Sequence, residues 1–170
     1  PGCWLAVERL GTRAMDDAGM PRVEQGRKPD WASDFVEEPR ERMLSEPAIK
    51  LLIRHNELSS DRMYAALSQR LGPGADRAVA LTFSNPQGLL EAGAPGVSKA
   101  TGLASVAARL GVAAADVIAF GDMPNDVEML RWAGHGVAMG NSHPELLAAA
   151  DEVTASASDD GVSLVLDRWF

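Results

Sequence analysis

From residue 96 onward, short apolar runs alternate with helical patterns, and this alternation restricts the fold of the 170-residue chain more than any other feature. Residues 99–110 read as a helix with Leu103, Val106, Ala107 and Leu110 on one face. Residues 117–120 form a continuous apolar run of the fully buried strand type. A helix follows over 126–132, a strand over 136–139, a helix over 144–149 capped by Ser142, a short strand over 152–154, and a last helix over 161–168. Short buried strands separated by helices predict a mostly parallel sheet covered on both faces.

The preceding half has a different rhythm. Residues 48–53, 78–83 and 89–92 read as strands. Between the first two, 59–71 reads as a helix with Met63, Leu67 and Leu71 on one face, capped by Ser59 or Ser60 and stopped by Gly72. In the charged stretch 21–47, only a short helix over 40–44 is legible. The connection Gly93-Ala94-Pro95-Gly96 separates the two patterns, so the sequence divides into residues 1–95 and 96–170. The expected class is α/β: part of a Rossmann-like core with a mostly parallel sheet, plus an α+β domain before it.

Charge narrows the partners. Sixteen Lys and Arg against 24 Asp and Glu leave a net charge of −8, which repels a phosphate backbone and argues against nucleic acid. Residues 99–170 hold 4 basic and 10 acidic side chains, so the second half is the acidic one. Cys3 is the single cysteine, which rules out an intrachain disulfide and suits a reducing cytoplasm. No apolar run reaches the roughly 20 residues a membrane span needs. Pro1 stands where an initiator Met would, and an apolar segment starts at Cys3, so a preceding segment is expected.

The run Gly121-Asp122-Met123-Pro124-Asn125-Asp126 directly follows the buried strand and opens the next helix. Ligands of open α/β sheets bind off the carboxyl ends of the strands, where this loop must lie. Two carboxylates and an amide there are hard oxygen donors of the kind magnesium takes. Asn125 and Asp126 also suit a plain helix start, where both residue types are favoured. Lys99 falls in the first turn of its helix, a position the macrodipole disfavours for a cation by a few tenths of a kcal/mol, on the order of 0.3. A solvated surface lysine is the ordinary reading, but the acidic loop follows 23 positions on, with one helix and one strand between them. His55, His135 and His143 share no ligand spacing, and nothing beside Cys3 marks it as a nucleophile.

Taken in order, Ala-Pro-Gly-Val-Ser-Lys (94–99), Phe-Gly-Asp-Met-Pro-Asn-Asp (120–126), Glu-Met-Leu (128–130), Val-Ala-Met-Gly-Asn (137–141), Ala-Asp-Glu-Val-Thr (150–154) and Asp-Gly-Val (160–162) resemble the Cof-type branch of the haloacid dehalogenase (HAD) phosphatases. The earlier segment, with Ile49-Lys50-Leu51-Leu52-Ile53, is similar to the α/β cap of that branch. The resemblance implies magnesium-dependent hydrolysis of a small phosphorylated metabolite, such as a sugar phosphate, through an aspartyl-phosphate. It implies that Lys99 neutralises charge on the nucleophile and the phosphoryl oxygens, that Asn125 helps place the phosphate, and that Asp122 ligates Mg2+. Asp126 is implied to support the metal through water or by contact with the lysine.

One motif of that family is missing. Asp-x-Asp-Gly-Thr, which carries the nucleophile, is not in the sequence; Asp16-Asp17 lacks its context, and Asp159-Asp160-Gly161 matches the start of the last helix instead. The chain alone is therefore expected to be inactive, with an N-terminal segment or another chain lying beside the strand at 117–120. A phosphomutase of similar core and a non-catalytic binding or assembly module are the alternatives.

Overall fold

The computed structural model describes residues 2–9, 21–28 and 35–169. Pro1 and the pair Asp16-Asp17, both noted in the sequence, lie outside the described residues. The chain divides into two compact units, Pro1–Pro95 and Gly96–Phe170.

The first unit is built on a six-stranded sheet. Its strands are β1 (Cys3–Glu8), β2 (Arg22–Glu24), β3 (Val36–Glu38), β4 (Lys50–His55), β5 (Ala80–Thr82) and β6 (Leu89–Gly93), in spatial order β3-β2-β1-β4-β6-β5. Every pair is antiparallel except β2 with β3. The register sets Ala6 opposite Val23 and Leu52, and Trp4, Ala6 and Val23 form a buried cluster with Phe35 and Leu52 against it. Val7, one step along, points to the other face and is buried as well, so the centre of the sheet is covered on both sides. Helix α1 (Arg40–Ser45) buries Met43.

Helix α2 (Ser60–Leu71) is capped by Ser59, whose hydroxyl accepts from Arg62 N–H, and it stops at Gly72. Its first residue also fixes it to the sheet: the buried Ser60 hydroxyl donates to the Asn85 carbonyl at 2.6 Å and accepts from Leu89 N–H at 3.0 Å. Only Met63 of the expected apolar face is fully buried, and Leu71 is exposed.

The second unit holds a three-stranded parallel sheet in the order β7 (Ile118–Gly121), β8 (His135–Ala138), β9 (Glu152–Val153). Helices α3 (Lys99–Leu110), α4 (Val127–Trp132), α5 (Pro144–Leu147) and α6 (Gly161–Leu166) alternate with the strands. In α3, Ser98 and Thr101 exchange side-chain-to-backbone bonds in a capping box, and Gly111 closes the helix in a left-handed conformation. The core is Ala119, Val127, Leu130, Ala133, Ala138 and Leu146, with Leu103, Val117 and Trp132 against it. Truncating Leu130 or Leu146, both essentially inaccessible, costs about 2–5 kcal/mol by the usual cavity relation.

Several sequence expectations shift here. In α3, Ala100 and Ala107 are buried, whereas Val106 and Leu110 face outward. The cap of α5 is His143, whose ring Nδ1 accepts from Glu145 N–H; the Ser142 hydroxyl is committed elsewhere. The last helix ends at Leu166, short of the expected 168, and Trp169 beyond it is exposed. Cys3 is exposed too. Among the described residues no helix is long and apolar enough to cross a membrane.

Within the described residues β7 pairs only with β8. His135 N–H donates to the Val117 carbonyl and Met139 N–H to the Gly121 carbonyl. That parity turns the peptide groups of Ile118 and Phe120 to the opposite, open side.

Candidate active site

A parallel strand delivers its carboxyl end to a loop, and β7 ends in Gly121, directly followed by Asp122. A short 3-10 turn over Pro124–Asp126 then leads into α4. The turn brings Asp126 back under the strand end, where it is 3% exposed. Its Oδ2 accepts from the N–H groups of Asp122 and Met123, each at 3.2 Å, and its Oδ1 is in ion-pair contact with Lys99 Nζ. A buried carboxylate is tolerated only when it is paired and hydrogen-bonded, and here three donors meet that need.

This arrangement explains two otherwise unfavourable placements. Lys99 sits in the first turn of α3 because its ammonium reaches Asp126, while half of its side chain remains exposed. Gly121 carries no side chain because a methyl group there would lie 2.5 Å from Asp126 Cβ and 2.9 Å from Cγ. Asp122 differs from Asp126: it is exposed, and its carboxylate has no hydrogen-bond or ion-pair partner among the described residues. Asn125 is partly buried, with a buried Oδ1 that has no partner among the described residues.

A second loop meets the first. The Met139–His143 stretch leaves β8 beside β7 and bonds across to it: Met139 N–H and the Ser142 hydroxyl donate to the Gly121 carbonyl, at 3.0 and 3.2 Å, and His143 N–H donates to the Asp122 carbonyl at 2.8 Å. Sequence reasoning places Lys99, Asp122, Asn125 and Asp126 as candidates, and the structure brings all four to the end of β7. It does not single out Ser142 and His143 for the site. The rule that adjacent strand ends share a ligand side, applied to β8, points to them.

The other charged groupings lie elsewhere. In the first unit, Lys50 Nζ lies 2.8 Å from Glu91 and 3.8 Å from Glu8. Burial pulls its pKa down, but the two carboxylates outweigh that and raise it above the ordinary lysine value. In the second unit, Glu152 bonds His135 Nε2 at 2.9 Å and Arg168 at 2.6 Å, next to the start of β8 and far along the strand from Gly121. Among the described residues no three His, Cys, Asp or Glu side chains gather as a ready-made metal cage. The donors near Gly121 are instead the exposed Asp122 carboxylate and, beneath it, the Asp126 carboxylate, a set that suits a magnesium ion keeping several waters.

Comparison with known proteins places this geometry in a family. The family model described as haloacid dehalogenase-like hydrolase matches residues 24–166. The 5-amino-6-(5-phospho-D-ribitylamino)uracil phosphatase YcsE of Bacillus subtilis is 39% identical over 89 residues, covering 52% of this chain and 35% of that protein. The stress response protein YhaX of the same organism is 47% identical over 75 residues, 44% of this chain and 26% of that one. Among solved structures, SMU.1108c from Streptococcus mutans superposes with a TM-score of 0.80 at 20% identity, over 99% of this chain and 62% of that one. A HAD subclass IIB sugar phosphatase gives 0.76 at 21% identity, over 99% and 61%. These structures show the shared fold, and the chain spans less than two thirds of their length. With the family model matched across both units, the chain belongs to the haloacid dehalogenase-like hydrolases, in their Cof-type phosphatase branch.

Proposed function

We propose that the intact protein hydrolyses the phosphate ester of a small metabolite, such as a sugar phosphate, with Mg2+ and through an aspartyl-phosphate. The observation that carries this reading is the Lys99–Asp126 pair beneath the free Asp122 carboxylate at the end of β7. The names of the similar YcsE phosphatase and of the sugar phosphatase support the substrate class.

Phosphoryl transfer leaves a protein little covalent chemistry to do beyond positioning groups and stabilising negative oxygens. Lys99 supplies a fixed cation: Asp126 holds its ammonium in place, so its charge is directed before substrate arrives. In this reading it screens the nucleophile and the transferring phosphoryl group from each other's charge. Asn125 contributes an amide to phosphate placement. Asp122 is the direct metal ligand. Asp126, already engaged by three donors, supports the metal through water and through its hold on Lys99 and on the Asp122 backbone. Bound magnesium would neutralise phosphoryl oxygens as a Lewis acid.

The nucleophilic aspartate is assigned to a strand pairing with the open side of β7, from a segment preceding these residues or from another chain. Residues 1–95 act as the substrate-specifying cap, and the protein works in the cytoplasm. The test uses the full reading frame. Magnesium-dependent release of phosphate from a panel of phosphomonoesters is expected, and Asp122→Asn should lower turnover by at least about 100-fold. Undiminished turnover in that variant would overturn the metal assignment.

A further inference from the structure

We infer that Ser142 is a positioning residue for Asp122, acting through the backbone of the β7 loop; this rests on the reading of Asp122 as the magnesium ligand. Asp122 sits between two peptide groups, and the structure holds both of them from both sides. On the N–H side, Asp122 and Met123 donate to a single acceptor, Oδ2 of Asp126, at 3.2 Å each. On the carbonyl side, Gly121 accepts from Met139 N–H at 3.0 Å and from the Ser142 hydroxyl at 3.2 Å, and Asp122 accepts from His143 N–H at 2.8 Å.

Three of the four residues in this clamp act through backbone groups or through Asp126, which has other duties. Ser142 alone contributes a side chain whose one hydrogen bond among the described residues is to this loop, and it is partly shielded from solvent. An alanine at 142 would offer the same backbone turn, since Ser142 N–H donates to the Met139 carbonyl. The hydroxyl is therefore not needed to form the turn. Its bond fixes the tilt of the Gly121–Asp122 peptide, which sets the direction in which the Asp122 carboxylate leaves the backbone. The Gly121 carbonyl keeps Met139 N–H after the hydroxyl is lost, so no buried acceptor is stranded and the fold should tolerate the change.

Outer groups of this kind orient direct ligands and tune metal affinity. The test titrates MgCl2 alone into the full-length protein by calorimetry, for the parent, Ser142→Ala, Ser142→Thr and Asp122→Asn, and then measures activity against magnesium concentration. Ser142→Ala should raise the magnesium dissociation constant roughly 3- to 10-fold. Its activity deficit should narrow as magnesium is raised, and Ser142→Thr should recover most of the affinity. A purely structural serine would lower activity equally at all magnesium concentrations, and that result would overturn the proposal. Magnesium affinity unchanged in Ser142→Ala but lost in Asp122→Asn would also overturn it while leaving the metal reading intact. Magnesium affinity unchanged in Asp122→Asn would overturn the metal reading, and this inference with it.

Discussion

Lys99 and Asp126 lie 27 positions apart in sequence and make a direct ion pair, joining the first turn of α3 to the first turn after β7. The pair is asymmetric: the lysine side chain is 50% exposed and the aspartate 4%. The aspartate is therefore the structural anchor, and the lysine is the group it presents.

This asymmetry separates two substitutions. Asp126→Ala removes the acceptor for two backbone N–H groups as well as the partner of Lys99, and should lower stability by about 2–4 kcal/mol. Lys99→Ala removes a half-exposed cation but leaves the buried carboxylate with only its two backbone donors, and should cost about 1–2 kcal/mol, less than Asp126→Ala, while turnover of the intact enzyme falls by at least about 100-fold. Urea denaturation midpoints beside steady-state rates check both. Equal midpoints for Asp126→Ala and the parent would show that the carboxylate does not organise the loop.

A second prediction concerns acid. His135, and after it Arg168, hold the Glu152 carboxyl below its ordinary value of 4.5. A group whose pKa is depressed on folding adds stability that is present above the unfolded value and is lost as pH falls through the folded one. The stability gap between the parent and Glu152→Gln should therefore be full near pH 6 and close progressively below pH 4.5. Denaturation curves across that range provide the check; a gap that widens toward acid would have the wrong sign.

The open side of β7 gives a third. Ile118 and Phe120 direct their amides away from β8, so in residues 1–170 alone those two amides should exchange with solvent much faster than that of Ala119. In the full reading frame, with a strand beside β7, they should become as protected as Ala119. The 170-residue chain should also release no phosphate above a metal blank. Hydrogen exchange read residue by residue, with a phosphate assay on the same samples, decides both points.

What can be read from the sequence follows from what short-range chemistry encodes. The bounds of α3 are legible because Ser98, Thr101 and Gly111 are local start and stop signals. The loop at Gly121 is legible because a buried strand running straight into two carboxylates must bring them to the ligand side of the sheet. Strands β2 and β3 are not legible, since three residues such as Arg22-Val23-Glu24 carry no periodicity and become strand only through pairing, β2 with β1 and β3 with β2. The outward face of Val106 and Leu110 escapes the same reading because a stripe's periodicity says which residues share a face, not whether anything covers it. Ser142 looks like a cap for a related reason: its nearest helix is visible in the sequence, and its bond to Gly121, 21 positions back, is not.

The open side of β7 also sets a rule of symmetry. Two copies of this chain meeting edge to edge about a two-fold axis normal to the sheet would pair β7 with itself antiparallel. A two-fold axis along the strands would instead bring N–H opposite N–H, and no ladder could form. The sheet of this unit is parallel throughout, so its continuation past β7 in the same sense requires a strand of different sequence. Self-association at this edge and completion of the sheet are thus mutually exclusive, with opposite strand polarity, and a dimer formed through β7 would block the edge to which the proposed nucleophile-bearing strand is assigned.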